Sequence, residues 1–268
     1  MLNKAASEKD AAPADSGRDV VLRARRVTVG FGRKIILENL DLNVYRGEIL
    51  GFVGGSGTGK SVLMRAILGL VPMRSGTVEI FGIDLAELSD GERTAIDQRL
   101  GVLFQHGALF SALTVLQNVQ LPMREHLKLS ESLMNELALL KLSLVGLPRD
   151  AADKFPSELS GGMIKRASLA RALALDPEIV FLDEPTSGLD PIGAAAFDNL
   201  IMKLRDTLGL TVYMVTHDLD SLRKACDRIA VLADRKVLVE GPLEKLLKYE
   251  HPWVQEYFRG ERSVRLNS

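Results

Sequence analysis

Over residues 20–29 and 35–44 apolar positions alternate with polar ones, with Ile36, Leu40, Leu42 and Val44 marking the second stretch, and both read as strands. Residues 48–53 form a run of apolar positions after Glu48, the pattern of a strand buried on both faces. Residues 76–81 predict another short strand, and 100–104 a buried one ending at Gln105. The early strands are expected to pair antiparallel beside the main sheet. From about 108 to 174 the rhythm turns helical. Leu133, Leu137, Leu140 and Leu144 recur at helical spacing and predict one core-facing stripe, and residues 162–175 form an alanine-rich helix. Strands and helices then alternate: strand 179–182, helix 194–208 with Phe197, Leu200, Ile201, Leu204 and Leu208 on one side, strand 211–215, helix 220–225. A hairpin closes the pattern across Asp234 and Arg235. This order predicts an α/β fold: a mostly parallel sheet covered by helices, with the helical middle as an inserted subdomain.

Composition adds bounds. The chain has 268 residues, 46% hydrophobic and 26% charged, with net charge -1, an ordinary globular balance long enough for a large core. The near-zero charge offers no electrostatic footprint for nucleic acid, so none is expected as a partner. A single cysteine, Cys226, excludes an intrachain disulfide and fits a reducing compartment; it reads as a small buried apolar residue. No apolar stretch reaches the roughly 20 residues of a spanning helix. Residues 1–19 are polar, lack the apolar core of a signal peptide and are expected to be a disordered tail. The chain is therefore expected to be soluble by itself, with any membrane role supplied by a partner.

Candidate chemistry centres on Gly54, Gly55, Ser56, Gly57, Thr58, Gly59, Lys60 and Ser61, which fit G-x-x-x-x-G-K-[ST] between a predicted strand and helix. The glycines let successive N–H groups converge on an anion, and the following helix adds its positive end. Lys60 would meet terminal phosphates and Ser61 would offer its hydroxyl to Mg²⁺. A second serine at position 62 would extend this set of ligands, but the residue there is Val62, which opens the helical run and is assigned no role in the site. Asp183 and Glu184 end an apolar strand: Asp183 suits a metal ligand, Glu184 a base that takes a proton from water or orients it. His217 follows the next strand and can meet a γ-phosphate or the lytic water, and Gln105 can reach the metal. Ser160, Gly161 and Gly162 make a second helix start fit for an anion. Each feature also has a plain structural reading: a tight turn, solvated carboxylates, a structural histidine, a surface amide, a helix cap. The chemical reading prevails because the strands would deliver these groups to one sheet edge.

Together these motifs resemble the ATP-binding subunits of ABC transporters. Residues 54–61 match Walker A, Gln105 the Q-loop, residues 159–163 the signature and residues 179–184 Walker B. Ser187, Gly188, Leu189 and Asp190 match the D-loop, and His217 the switch. Phe31 lies where the family stacks an aromatic on adenine. The match runs from about 20 to 241. Finer cues resemble the Mla/Mce lipid-transport group: Met163 where most members have Gln, and residues 104–110, 122–126 and 257–260. Met163 cannot donate a side-chain hydrogen bond, which leaves any signature contacts to Ser160 and the backbone.

The resemblance implies a P-loop NTPase fold: an ATPase domain over 20–245 with an antiparallel β subdomain, a helical subdomain over about 106–175, and a C-terminal extension over 246–268. In that extension Trp253, Val254, Tyr257 and Phe258 are expected to pack on the body rather than on a neighbour. The resemblance further implies ATP and Mg²⁺ held between two copies of the chain. Phe31, residues 54–61, Gln105, Ser160, Gly161, Gly162 and Asp190 would form the nucleotide site; Ser61, Gln105 and Asp183 would hold the metal; Lys60, Glu184 and His217 would be catalytic. The implied partners are a second copy, a transmembrane permease touching residues 105–126 and an MCE-type lipid-binding protein, with a small accessory subunit left open. The chain would act at the cytoplasmic face of the bacterial inner membrane, moving phospholipid in maintenance of outer-membrane lipid asymmetry. Alternatives are the ATPase of a small-solute importer and a non-transport ABC regulator.

Overall fold

A computed structural model describes residues 17–105 and 107–259. Most of the expected tail, His106 and the end of the C-terminal extension lie outside the described residues. The alternating N-terminal stretches form strands β1 (Val20–Phe31) and β2 (Lys34–Tyr45), an antiparallel hairpin. With β4 (Ser75–Ile80) and β5 (Ile83–Asp84) they make an antiparallel sheet in the order β2-β1-β4-β5.

The main sheet contains β3 (Ile49–Gly54), β6 (Leu100–Leu103), β7 (Ile179–Asp183), β8 (Thr211–Val215), β9 (Arg228–Ala233) and β10 (Lys236–Gly241). Its order is β10-β9-β3-β8-β7-β6, and every pairing but β10 with β9 is parallel. Every position of β3, β7 and β8 is buried. Both faces are covered, so these segments show runs of apolar residues rather than alternation. Phe52, Phe181 and Tyr213 meet across these strands, with ring centroids 5.6 and 5.5 Å apart. Burying each of the two phenylalanine rings stabilises the sheet by roughly 1.5–3 kcal/mol.

Parallel strands point their carboxyl ends the same way. β3 therefore ends at Gly54, β7 at Asp183, and β8 two residues before His217, all on one edge, with Gln105 following β6. The opposite edge is anchored by Glu48, which is buried and paired with Arg228 at 2.9 Å.

Helices are α1 (Lys60–Ile67), α2 (Asp90–Asp97), α3 (Val115–His126), α4 (Glu131–Leu144), α5 (Gly161–Ala172), α6 (Pro191–Leu208), α7 (Leu219–Ala225), α8 (Leu243–Leu247) and α9 (Pro252–Arg259). One core joins α3, α4, α5 and α6 to a face of the main sheet. A second fills the space between that sheet, α1 and the antiparallel strands. A third sets α9 against the end of β3 and α7.

The leucine stripe differs from expectation. α4 buries Met134, Ala138, Lys141 and Leu142, whereas Leu133 and Leu140 are 44% and 52% exposed. Leucines lie nearly all round this helix, so two offset stripes compete, and packing against α3 and α5 selects the one carried by Met134 and Ala138. Lys141 joins that face because its aliphatic stem is buried while its ammonium reaches Asp176. On α6, Leu208 is exposed, and the core side is Ala194, Phe197, Asp198, Ile201 and Leu204.

Candidate active site

The glycine loop is shaped by its neighbours. A Cβ on Gly54 would stand 2.4 Å from the Leu232 carbonyl oxygen, where β9 runs alongside. Gly59 has φ 108, and a Cβ there would meet Ile36 Cγ2 at 2.7 Å, where β2 presses on the loop. Only glycine fits both places. Thr58 donates its hydroxyl to the Gly55 carbonyl at 2.9 Å and closes the turn. Gly55 is half-buried, while Ser56 and Gly57 form the exposed rim.

α1 starts at Lys60 with Gly59 as its N-cap and no acidic residue in its first turn. Its leading N–H groups therefore have neither intrahelical acceptors nor a capping side chain, and they face the loop with the helix dipole behind them. Lys60 donates to the carbonyls of Gly54 at 2.8 Å and Gly55 at 3.1 Å. Burial pushes its pKa down, against the opposing pull of Glu184 and Asp183. This is a partly desolvated cation held over a ring of amides, a fit for a polyphosphate.

Ser61 donates its hydroxyl to Asp183 Oδ1 at 2.9 Å, so helix and strand converge on one point. The hydroxyl ligands of the loop end there. Position 62 is valine and not serine: Val62 is half-buried and packs against the core beneath α1. An isopropyl group has no oxygen for phosphate or metal, so residue 62 belongs to the packing of the helix and not to the site. Asp183 is 2% exposed. A hydroxyl and a carboxylate beside a phosphate-grade loop are hard oxygen donors, a set that fits Mg²⁺. Gln105 is exposed, and its backbone carbonyl accepts from Lys165.

Glu184 occupies the left-handed region, with φ 51. Two backbone bonds hold it there: its N–H donates to Val215 at 2.8 Å, and its carbonyl accepts from Lys165 Nζ at 3.0 Å. A non-glycine residue kept in this region by its surroundings stores strain of roughly 1–3 kcal/mol. The carboxylate is thereby turned to His217, whose Nδ1 lies 2.7 Å from Glu184 Oε2. The His217 side chain is 67% exposed against 12% for Glu184, so the imidazole covers the carboxylate from the solvent side. A carboxylate can only accept here, so Nδ1 carries the proton and Nε2 faces outward chemistry.

Phe31 ends β1 opposite Lys34 and is 54% exposed. Lys34 lines a hollow of about 400 Å³ with Arg33, Ile36, Thr58 and Arg235. Ser160 caps α5, accepting from the Met163 N–H at 3.3 Å. That bond uses a lone pair and leaves the hydroxyl proton available. Gly161 is exposed, and a Cβ on Gly162 would touch only Leu189. Among the described residues no hydrogen bond joins this helix start to the loop around Lys60. Asp190 caps α6 through the Gly193 N–H at 2.8 Å.

Two residues escape sequence reasoning. Lys165 lies inside α5, where a lysine ordinarily reads as surface, yet it is 6% exposed. Burial lowers its pKa although Glu184 and Asp183 pull it upward. Arg171, further along α5, donates to the carbonyls of Ala108 at 2.7 Å and Gly107 at 3.0 Å, clamping the segment after Gln105. No pattern in this alanine-rich segment marks either cation; the fold alone buries Lys165 and half-buries Arg171. Met163 packs against the helical core, which accounts for an apolar residue there.

Residues 37–187 match the family model described as ABC transporter. The chain is 40% identical over 241 residues to the intermembrane phospholipid transport system ATP-binding protein MlaF of Haemophilus influenzae, covering 90% of this chain and 91% of that protein. It is 41% identical over 243 residues to the probable ribonucleotide transport ATP-binding protein mkl of Mycobacterium leprae, covering 91% and 70%. The dimeric structure of a post-hydrolysis state of the ATP-binding cassette MJ0796, bound to ADP and Pi, matches with TM-score 0.76 at 35% identity, covering 83% of this chain and 98% of that one. The loop at Lys60 and the Asp183–Glu184–His217 edge thus stand in a chain that belongs to the ABC transporter family, as an ATP-hydrolysing cassette.

Proposed function

We propose that this chain powers a membrane permease that moves phospholipid between the inner membrane and a periplasmic MCE-type lipid-binding protein. The observation that carries the lipid reading is the 40% identity to MlaF over nine tenths of both chains. Met163 in the signature supports it.

For the hydrolysis itself, residues 54–59 cradle the phosphates, Lys60 meets the terminal ones, and Phe31 stacks on the base. Ser61 and Asp183, joined by Gln105, hold Mg²⁺, which when bound offsets phosphate charge. Glu184 orients the attacking water and accepts its proton, a role worth about 10²–10⁴ in rate. His217 fixes the Glu184 carboxylate through Nδ1 and leaves Nε2 for the γ-phosphate or the water. Ser160, Gly161, Gly162 and Asp190 belong to the same reaction in a dimer, where the α5 start of one copy faces Lys60 of the other. The dimer of the MJ0796 cassette supports this arrangement.

No helix among the described residues is long and apolar enough to cross a membrane. On this reading the chain reaches the cytoplasmic face of the inner membrane through its permease, docked near Gln105 and α3. An accessory subunit is compatible with this assembly.

A second reading, a small-solute transporter, is favoured by the 41% identity to mkl. Affinity purification from native membranes, with identification of bound proteins and lipids, separates the two. A permease with an MCE-type protein and phospholipid is the expected result. Recovery with a soluble solute-binding protein would overturn the lipid reading, and recovery without a permease would overturn transport.

A further inference from the structure

Helix α9 has no part in the roles above, yet it reaches the catalytic edge. Its apolar side is fixed: Val254 and Phe258 are buried with Val53, Leu222 and Leu246. Arg223 on α7 donates to the Phe258 carbonyl at 3.2 Å, and Gln255 Nε2 donates to the Leu247 and Tyr249 carbonyls at 3.2 and 2.6 Å. Val53 directly precedes Gly54, and α7 directly follows the segment of His217, so α9 is anchored to both halves of that edge.

From this base Tyr257 donates its hydroxyl to the His217 carbonyl at 2.8 Å. Trp253 stacks on the Tyr257 ring, with centroids 4.8 Å apart and planes 16° apart. Its indole nitrogen lies 3.6 Å from the place a Gly55 Cβ would take. One short helix thus sets one aromatic beside the phosphate loop and bonds the next to the backbone of His217.

We propose that Tyr257 is a positioning residue for ATP hydrolysis: its hydroxyl fixes the backbone of His217 and so keeps the imidazole on the Glu184 carboxylate. This rests on the reading that Glu184 and His217 carry hydrolysis. Helix α9 supplies the rigidity, because its two buried side chains prevent the ring from retreating. Burial, then the nearby charges of Glu184 and Asp218, push the Tyr257 pKa up, so the phenol remains a protonated donor throughout the range of an ATPase assay. The contact is to a carbonyl, so it constrains the position of His217 without competing for either ring nitrogen.

Tyr257→Phe in the full chain removes one oxygen and retains both the stacking and the buried face. Loss of one net hydrogen bond predicts a fall in kcat of about 3- to 10-fold, with KM for ATP within about twofold and an unfolding midpoint within about 5 °C of the parent's, well above the assay temperature. In a His217→Ala background the same substitution is expected to leave the residual kcat unchanged, because the two residues act in series. Parental kcat in Tyr257→Phe overturns the proposal, as does an equal fold-loss in both backgrounds or a loss that tracks an unfolding midpoint lowered to the assay temperature. If His217→Ala alone turns over ATP at the parental rate, the proposal falls together with the hydrolytic role of His217, and that outcome is recognised without any change at Tyr257.

Discussion

Replacing Glu184 by glutamine isolates chemistry from architecture. The substitution keeps the side chain's size, and the two bonds that hold residue 184 are made by its backbone, to Val215 and from Lys165. The amide oxygen can still accept from His217 Nδ1, so the imidazole keeps its seat. What disappears is a proton acceptor of carboxylate strength. A positioned base contributes about 10²–10⁴ in rate, or about 2.7–5.5 kcal/mol of barrier. Phosphate binding is untouched at the loop, and Lys60 loses a nearby competitor for its charge. The expected protein binds ATP at least as well as its parent and turns it over at least about 100-fold more slowly. Phosphate release from the isolated subunit measures turnover, and light scattering with and without ATP measures whether the stalled nucleotide holds two copies together. Turnover within about tenfold of the parent would refute Glu184 as the base. A mass unaffected by ATP would refute the shared site between copies.

Other expectations follow from the same geometry. Lys60→Ala removes the cation over the loop and should weaken ATP binding by about 2–5 kcal/mol, measured by calorimetry; near-parental affinity would remove Lys60 from the site. Glu184→Gly relieves the φ of 51 and should raise the thermal midpoint by about 2 °C while abolishing turnover, so a lower midpoint would count against stored strain. Burial works to raise the Glu178 pKa, but hydrogen bonds from Arg46 and Arg99 outweigh it and hold the pKa below the usual carboxylate range. A lowered carboxylate stabilises the fold above its unfolded pKa, and that stabilisation is lost as pH falls through the native value. Glu178 is 38% exposed, so solvent limits the effect to about 1 kcal/mol or less. Denaturation midpoints of Glu178→Gln and its parent should differ near neutrality and converge in acid; a constant gap would argue against the linkage.

Most of the sheet was legible in the sequence because a strand buried on both faces must be largely apolar, and 179–182 and 212–215 are. The loop at Gly54 was legible for a related reason, since the backbone there tolerates few residues besides glycine. Helix faces were harder to read. On α4 the leucines offered two stripes, and only the positions of α3 and α5 decide between them. Long-range polar ties were not legible at all. Nothing in the run Met163, Ile164, Lys165, Arg166 marks its lysine as the one that reaches Gln105 and Glu184, residues far away in sequence. The same holds for Tyr257, forty residues beyond the histidine it contacts.

Lys165 seizes two main-chain oxygens, one after β6 and one after β7, and is indifferent to the side chains those residues carry. On the proposed reading, a shift of the segment at Gln105, where a permease would push, would be carried through Lys165 to the backbone of residue 184 whether that residue is an acid or its amide. Stalling the chemistry by mutation leaves the transmission engaged, so a stalled protein should still report, in the placement of its switch histidine, what happens at the distant docking face.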